Sequence, residues 1–160
     1  MNKKYKPLLY ILTFMTAFLA DRITKLWVLK ILVLRKTYLG TFLNFRLVWN
    51  KGITWGLLSS ESNFGLISLA LLISIVIIIF FIHTIYEYKK NENILFNVLI
   101  LSGATSNLLD RVLYRGVIDF IDLHINSWHW PAFNLADIFI VVGVFGIIGR
   151  YLYYEISRKH

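Results

Sequence analysis

The chain has 160 residues, 58% of them hydrophobic and only 16% charged, with a mean hydropathy of +0.64. A soluble domain carries roughly 25% charged residues, so the deficit points to a membrane protein. Cysteine is absent, which excludes disulfides, thiolate catalysis and cysteine-bound metals, and His83, His124, His129 and His160 form no spaced metal motif.

The net charge of +8 would suggest nucleic acid on a soluble protein. Here the 17 Lys and Arg sit between apolar runs, so anionic lipid headgroups are the better partners. The length allows one compact domain. Lys3, Lys4 and Lys6 before an apolar run imitate a secretory signal, but Ala17-Phe18-Leu19-Ala20 is not a small-residue cleavage site. A retained first helix is the expectation.

Residues 7–34 form the first apolar segment, long enough to span a bilayer but interrupted by Asp21, Arg22 and Lys25. Asp21 lies ~21 Å along a helix axis from Pro7, toward the far side. Asp21 and Lys25 are i,i+4 and face the same way. They are either an interfacial ion pair that ends the span or a buried pair that buttresses a site.

Residues 37–60 change character. Leu43, Phe45, Leu47 and Trp49 alternate with Asn44, Arg46, Val48 and Asn50, a period of two that predicts a strand. Asn50-Lys51-Gly52 reads as a turn, and Ile53 to Leu57 as a second short strand. Such a sheet would rest at the membrane interface, where Trp49 and Trp55 suit an aromatic belt.

Residues 64–86 are the cleanest span, without a formal charge. Residues 94–114 are the third. There Gly103, Asn107, Asp110, Arg111 and Tyr114 share one helical face, a stripe that should meet protein or a water-filled cavity and not lipid. Gly103 could admit another helix closely. Gly116 breaks the helix. Val117 to Asp122 alternates poorly, and His124 to Trp130 suits an interfacial loop or short amphipathic helix. Residues 131–154 are the fourth span, with Pro131 as a first-turn residue. Asn134 and Asp137 are i,i+3, readable as a helix cap and its dipole partner.

Four spans place both termini on one side, and the Lys-rich N-terminal tail favours the cytoplasm. Asp21, Lys25, Asn50, Asn107, Asp110, Arg111, Asp119, Asn134 and Asp137 then gather toward the other membrane face. Charges beside a bilayer core usually mark function. The expectation is that Asp119 and Asp137 meet there and share one proton, since two adjacent carboxylates in a low dielectric do not both ionise cheaply.

These blocks resemble a known family. Asp21-Arg22-Ile23-Thr24-Lys25, Asn50-Lys51-Gly52, Gly103 with Asn107-Leu108-Leu109-Asp110-Arg111, Val117-Ile118-Asp119-Phe120 and Phe133-Asn134-Leu135-Ala136-Asp137 follow its order and spacing over nearly the whole chain. The family is lipoprotein signal peptidase (signal peptidase II), a bacterial membrane aspartic protease. Two blocks depart from it: Thr54-Trp55-Gly56 stands where the family usually has Ala-Phe-Gly, and Ser106 where it prefers Gly.

The resemblance implies an all-α membrane protein of four transmembrane helices with a small extracytoplasmic β-cradle between helices 1 and 2. It implies a multi-pass protein of the bacterial inner membrane, acting without metal or organic cofactor. The implied substrate is a prolipoprotein carrying diacylglyceryl on its lipobox cysteine, cleaved on the N-terminal side of that residue. Asp119 and Asp137 match the family's catalytic pair. Asp21, Lys25, Asn50, Gly52, Gly103, Asn107, Asp110, Arg111, Asn134 and Ala136 match supporting or substrate-contacting positions. A monomer is expected, with membrane lipids and the substrate as partners and no nucleic acid. The alternatives are a proton- or ion-conducting protein that uses Asp110, Asp119 and Asp137 as a relay, and a non-catalytic scaffold whose polar residues only join helices.

Overall fold

The structure, a computed structural model, describes residues 5–32, 37–38, 41–52 and 62–158. Four helices appear in chain order: α1 (Lys6–Leu32), α2 (Asn63–Lys89), α3 (Leu95–Tyr114) and α4 (Leu135–Ser157). Three of them, α1, α2 and α4, are long and apolar enough to cross a membrane. The twenty-residue α3 is not among them, because Asn97, Ser102, Ser106, Asn107 and Asp110 break its apolar surface. Those five side chains are buried, and α3 packs against each of the other helices. A polar stripe beside hydrocarbon is tolerable when protein covers it. By contrast α2 leaves Ile67, Leu71, Ile75, Ile79 and Ile82 exposed, as a lipid-facing helix should.

The core divides along the bundle. At the end that holds the start of α1 and the start of α3, Tyr10, Ile94 and Val98 cluster with Phe14 and Leu95. At the other end buried charges, Asp21, Lys25, Asp110 and Asp119, pack among Val28, Ile118, Phe120 and Ala136.

Gly103 sets how closely α3 approaches α4. A Cβ there would collide with the Ala136 carbonyl oxygen and stand 2.9 Å from Ile140 Cγ1. The oxygen belongs to backbone and cannot swing away. Gly103→Ala is therefore expected to lower stability by about 1–3 kcal/mol, read as a fall in unfolding temperature in detergent. An unchanged midpoint would show that α4 shifts freely.

The strands are β1 (Thr37–Tyr38), β2 (Leu43–Asn50), β3 (Val117–Ile125) and β4 (Trp128–His129), in the spatial order β1-β2-β3-β4. The alternation in β2 was a correct sign of a strand. A partner comes from far along the chain: β2 pairs antiparallel with β3, which lies between α3 and α4. The sheet is thus closed by a segment that sequence left unclassified. Val117, Ile118, Asp119 and Phe120 are all buried, so β3 is covered on both faces and shows no period of two. The stretch expected as a loop or amphipathic helix turns back as a hairpin, with Asn126 at φ 54° and His124 paired to His129. The second strand expected at 53–57, with Trp55, lies outside the described residues.

The α4 boundary also moves. Pro131 precedes the helix instead of opening it, because Phe133 forms an isolated antiparallel bridge to Ile121. Phe133 accepts from the amides of Phe120 and Ile121 at 3.0 and 2.8 Å. That bridge fixes Asn134 beside β3.

Candidate active site

The site has two layers, and the lower one is ionic. Lys25 on α1 has no exposed side-chain surface. Its ammonium donates to Asp21 Oδ2 at 2.7 Å, Asp110 Oδ2 at 2.8 Å and Asn107 Oδ1 at 2.7 Å. An ammonium has three protons, so its donors are used up. Asp110 Oδ1 pairs with the Arg22 guanidinium, and Asp110 Oδ2 also accepts from Ile118 N at 3.3 Å. Asp21 Oδ2 takes the Ser106 hydroxyl at 2.6 Å, while Asp21 Oδ1 accepts from Ala136 N at 2.9 Å. Two cations therefore face two carboxylates, and α1, α3, β3 and α4 are tied together. Of the two readings open for Asp21 and Lys25, the buried pair is the one observed.

The upper layer holds the two remaining carboxylates. Asn107 Oδ1 is committed to Lys25 and to Asn134 Nδ2, so its own Nδ2 points at Asp137 Oδ1, 2.9 Å away. Asn134 is the N-cap of α4. Its side chain accepts from Asp137 N at 3.0 Å, and its own backbone N–H donates to Asp137 Oδ2 at 3.1 Å, a capping box. Its Nδ2 also donates to Asp119 Oδ1 at 2.7 Å. Asn50 at the end of β2 donates to Asp119 Oδ2 at 3.0 Å, with its Oδ1 held by Gly52 N at 3.0 Å. Each of the four oxygens thus accepts an N–H from a neutral group. The cap and turn readings of Asn134, Asp137 and Asn50 hold together with a place in the site.

Burial differs between the pair. Asp119 is 2% exposed, whereas Asp137 is only partly buried. Burial pushes the Asp119 carboxyl up to about 7, and the neighbouring Asp137 charge adds to the rise. Hydrogen bonds from Asn50 and Asn134, and the Lys25 ammonium, act in the opposite direction.

Arg111 shares the α3 stripe with Asp110 but does not pair with it. Asp110 is taken by Arg22 and Lys25. The Arg111 Nη2 instead donates to Gly52 O at 2.6 Å and Nη1 to Asn107 O at 3.3 Å, which joins the turn after β2 to α3. Arg111 Nε is buried without a partner. The other named residues converge: Asp21, Lys25, Asn50, Gly52, Asn107, Asp110, Asp119, Asn134, Ala136 and Asp137 form one network, and Gly103 lies under Ala136. Arg22 and Ser106 were not foreseen in it. Arg22 had one signal, a third charge in an apolar run that needs a counter-ion. Among the described residues, no group of three or more His, Cys, Asp or Glu is placed to hold a metal ion.

A helical membrane protein that suspends two carboxylates from shared neutral donors is, by class, a membrane aspartic peptidase. Comparison with known proteins narrows the class. A family model described as signal peptidase (SPase) II matches residues 13–153. The lipoprotein signal peptidase of Pelagibacter ubique (strain HTCC1062) is 41% identical over 151 residues, 91% of this chain and 89% of that protein. That of Janthinobacterium sp. (strain Marseille) is 37% identical over 142 residues, 88% of this chain and 83% of that protein. A bacterial membrane enzyme solved by the in meso method at 2.3 Å resolution is similar with a TM-score of 0.75 and 29% identity, covering 94% of this chain and 91% of that one. The chain belongs to the signal peptidase II family.

Proposed function

We propose that Asp119 and Asp137 are the catalytic pair with which this membrane aspartic endopeptidase removes signal peptides from lipidated prolipoproteins. The observation that carries the assignment is Asn134, which donates to Asp119 through its side chain and to Asp137 through its backbone. One residue therefore sets the relative placement of both carboxyl groups.

Asp119, the more deeply buried of the two, is the member to which this reading gives the shared proton, since burial disfavours its charged form. Asp137, the more accessible member, is the ionised base. Asp137 takes a proton from water as the oxygen attacks the scissile carbonyl, and Asp119 protonates the carbonyl oxygen as charge develops there. In the second half the nitrogen of the leaving amine gains a proton from Asp137, Asp119 recovers its own, and the C–N bond breaks. The cleaved bond lies on the N-terminal side of the diacylglyceryl-bearing cysteine. The acyl chains stay in lipid while water reaches Asp137. Arg111 holds the Asn50–Gly52 turn against α3, and that turn carries the Asn50 amide that faces Asp119.

The site lies at the opposite end of the bundle from the first turns of α1 and α3, where Tyr10 meets Ile94 and Arg150 of α4 reaches Asn93. With both termini cytoplasmic, the site faces the extracytoplasmic side of the inner membrane, and α3 crosses as a fourth span with its polar stripe covered. The enzyme acts as a monomer without a cofactor. Cleavage of a diacylglyceryl-modified prolipoprotein by the purified chain, read as a gel shift, tests the function. An unmodified precursor should not be cut.

A second expectation concerns pH. The raised Asp119 carboxyl favours the protonated folded state, so its contribution to stability is full below about 4 and is lost as pH rises through about 7. The wild-type unfolding temperature should therefore fall between pH 5 and pH 8, and Asp119→Asn should flatten that fall. The cleavage rate should decline about tenfold per pH unit on the alkaline side. Parallel stability curves for the two proteins would remove Asp119 as the titrating group.

A further inference from the structure

At the end of the bundle away from Asp119 and Asp137 lies a cavity of about 230 Å³, lined by Lys6, Tyr88, Lys89, Asn91 and Glu92. Lys6 is in the first turn of α1 and Lys89 is the last residue of α2. Tyr10 and Tyr88 meet edge to face with ring centroids 6.2 Å apart, which fixes the two helix ends side by side. Asn91, at φ 64°, turns the chain away toward α3. Lys90, next in the chain, is not available to the cavity's ligand in the same way, because its ammonium sits 4.1 Å over the Tyr86 ring.

We infer that this cavity binds the phosphate of an anionic glycerophospholipid headgroup. Among the described residues neither Lys6 nor Lys89 has an ion-pair partner, so two ammonium groups and one carboxylate, Glu92, line the space. The balance is one positive charge, which a phosphodiester neutralises. The depth is that of headgroups, since the apolar runs of α1 and α2 begin and end at these lysines. Basic pockets between helices at that level are the usual form of anionic-lipid site. A lipid suits it better than a free anion because Leu8, Leu9 and Ile85, each within three residues of a lining residue, are exposed and offer an apolar surface to acyl chains. Asn91 and Glu92 remain to hydrogen-bond hydroxyl groups of the headgroup.

Native mass spectrometry of the full chain, released from micelles holding equal amounts of phosphatidylglycerol, phosphatidylethanolamine and phosphatidylcholine, tests the site. The wild type should retain one phosphatidylglycerol in preference to the other two. Lys6→Gln with Lys89→Gln should weaken retention about 30-fold, from about 1 kcal/mol per lysine and 1.4 kcal/mol per decade. Lys6→Arg with Lys89→Arg should keep it, and so should Lys30→Gln at the other end of α1. The Gln pair should leave cleavage and unfolding temperature unchanged, since the cavity is remote from the dyad. Equal retention of the three lipids, or no effect of the Gln pair, overturns the site. Binding of inorganic phosphate alone that displaces phosphatidylglycerol would make it a free-anion site. Preferred phosphatidylethanolamine, lost in Glu92→Gln, would make it a zwitterionic one; either result defeats the inference.

Discussion

Asp119→Asn and Asp137→Asn will each reduce cleavage of a diacylglyceryl-modified prolipoprotein by roughly 10²–10⁴-fold, the usual worth of a positioned acid or base. An amide matches a carboxyl in shape but can neither accept the proton from water nor deliver one to the carbonyl oxygen. The changes differ structurally. At Asp137 the capping box needs an oxygen toward Asn134 N, and an Asn carbonyl supplies it. The other half of that amide then faces Asn107 Nδ2 as donor against donor. At Asp119 both oxygens accept from Asn amides, so Asp119→Asn necessarily opposes a donor to Asn50 or Asn134. Both variants should nonetheless elute and unfold as a folded protein, because the ionic layer beneath is untouched. A near-normal rate in either single variant removes that residue from the chemistry. Chelator should have no effect on the wild type, and loss of activity on chelation would point to a metal instead. A proton relay would spread its carboxylates through the bilayer depth, whereas Asp21, Asp110, Asp119 and Asp137 are gathered in one network.

Lys25→Met will destabilise the fold by about 3–5 kcal/mol, the cost of removing one partner from a buried ion pair. The substitution roughly keeps the volume and deletes three hydrogen bonds at once. Asp21 and Asp110 are both without exposed side-chain surface and would be left with the Arg22 guanidinium as their sole counter-ion. The damage extends upward. Lys25 holds Asn107 Oδ1, and that hold is what aims Asn107 Nδ2 at Asp137. Activity at a temperature where the variant is still folded should therefore drop as well. Combining Lys25→Met with Asp21→Asn should recover part of the stability, since one uncompensated charge is then gone. A loss below about 1 kcal/mol, by unfolding in detergent, would mean that water enters the layer and replaces the ammonium.

Sequence and structure agree on much of the site because its residue types are costly where they stand. A Lys and two carboxylates inside apolar runs needed partners. The helical spacing of Gly103, Asn107, Asp110 and Arg111 put them on one face without knowledge of what covered it. The strand β2 was legible because Leu43, Phe45, Leu47 and Trp49 alternate with other residues in the sequence, although its burial does not keep that period: Asn44 is buried, Trp49 is exposed and the register shifts between Phe45 and Val48. Strand β3 was not, because burial on both sides erases that period. The limit of α4 was misplaced by four residues, since the bridge of Phe133 to Ile121 overrides the local preference of Pro131 for a first turn.

What the sequence determined alone is the class of solvent, the apolar helices and which polar side chains lie inside or beside them, because hydropathy and helical spacing are local properties. The tertiary structure decided which partner each polar group takes. Arg22 reaches Asp110 across 88 residues of chain, Asp21 receives the amide of Ala136 across 115, and β2, already paired with its neighbour β1, takes β3 from beyond α2 and α3 as its other partner. Asn134 joining Asp119 to Asp137 is of the same kind. Pairing in a low dielectric is set by position in space to within a hydrogen bond, and spacing along the chain does not carry that information.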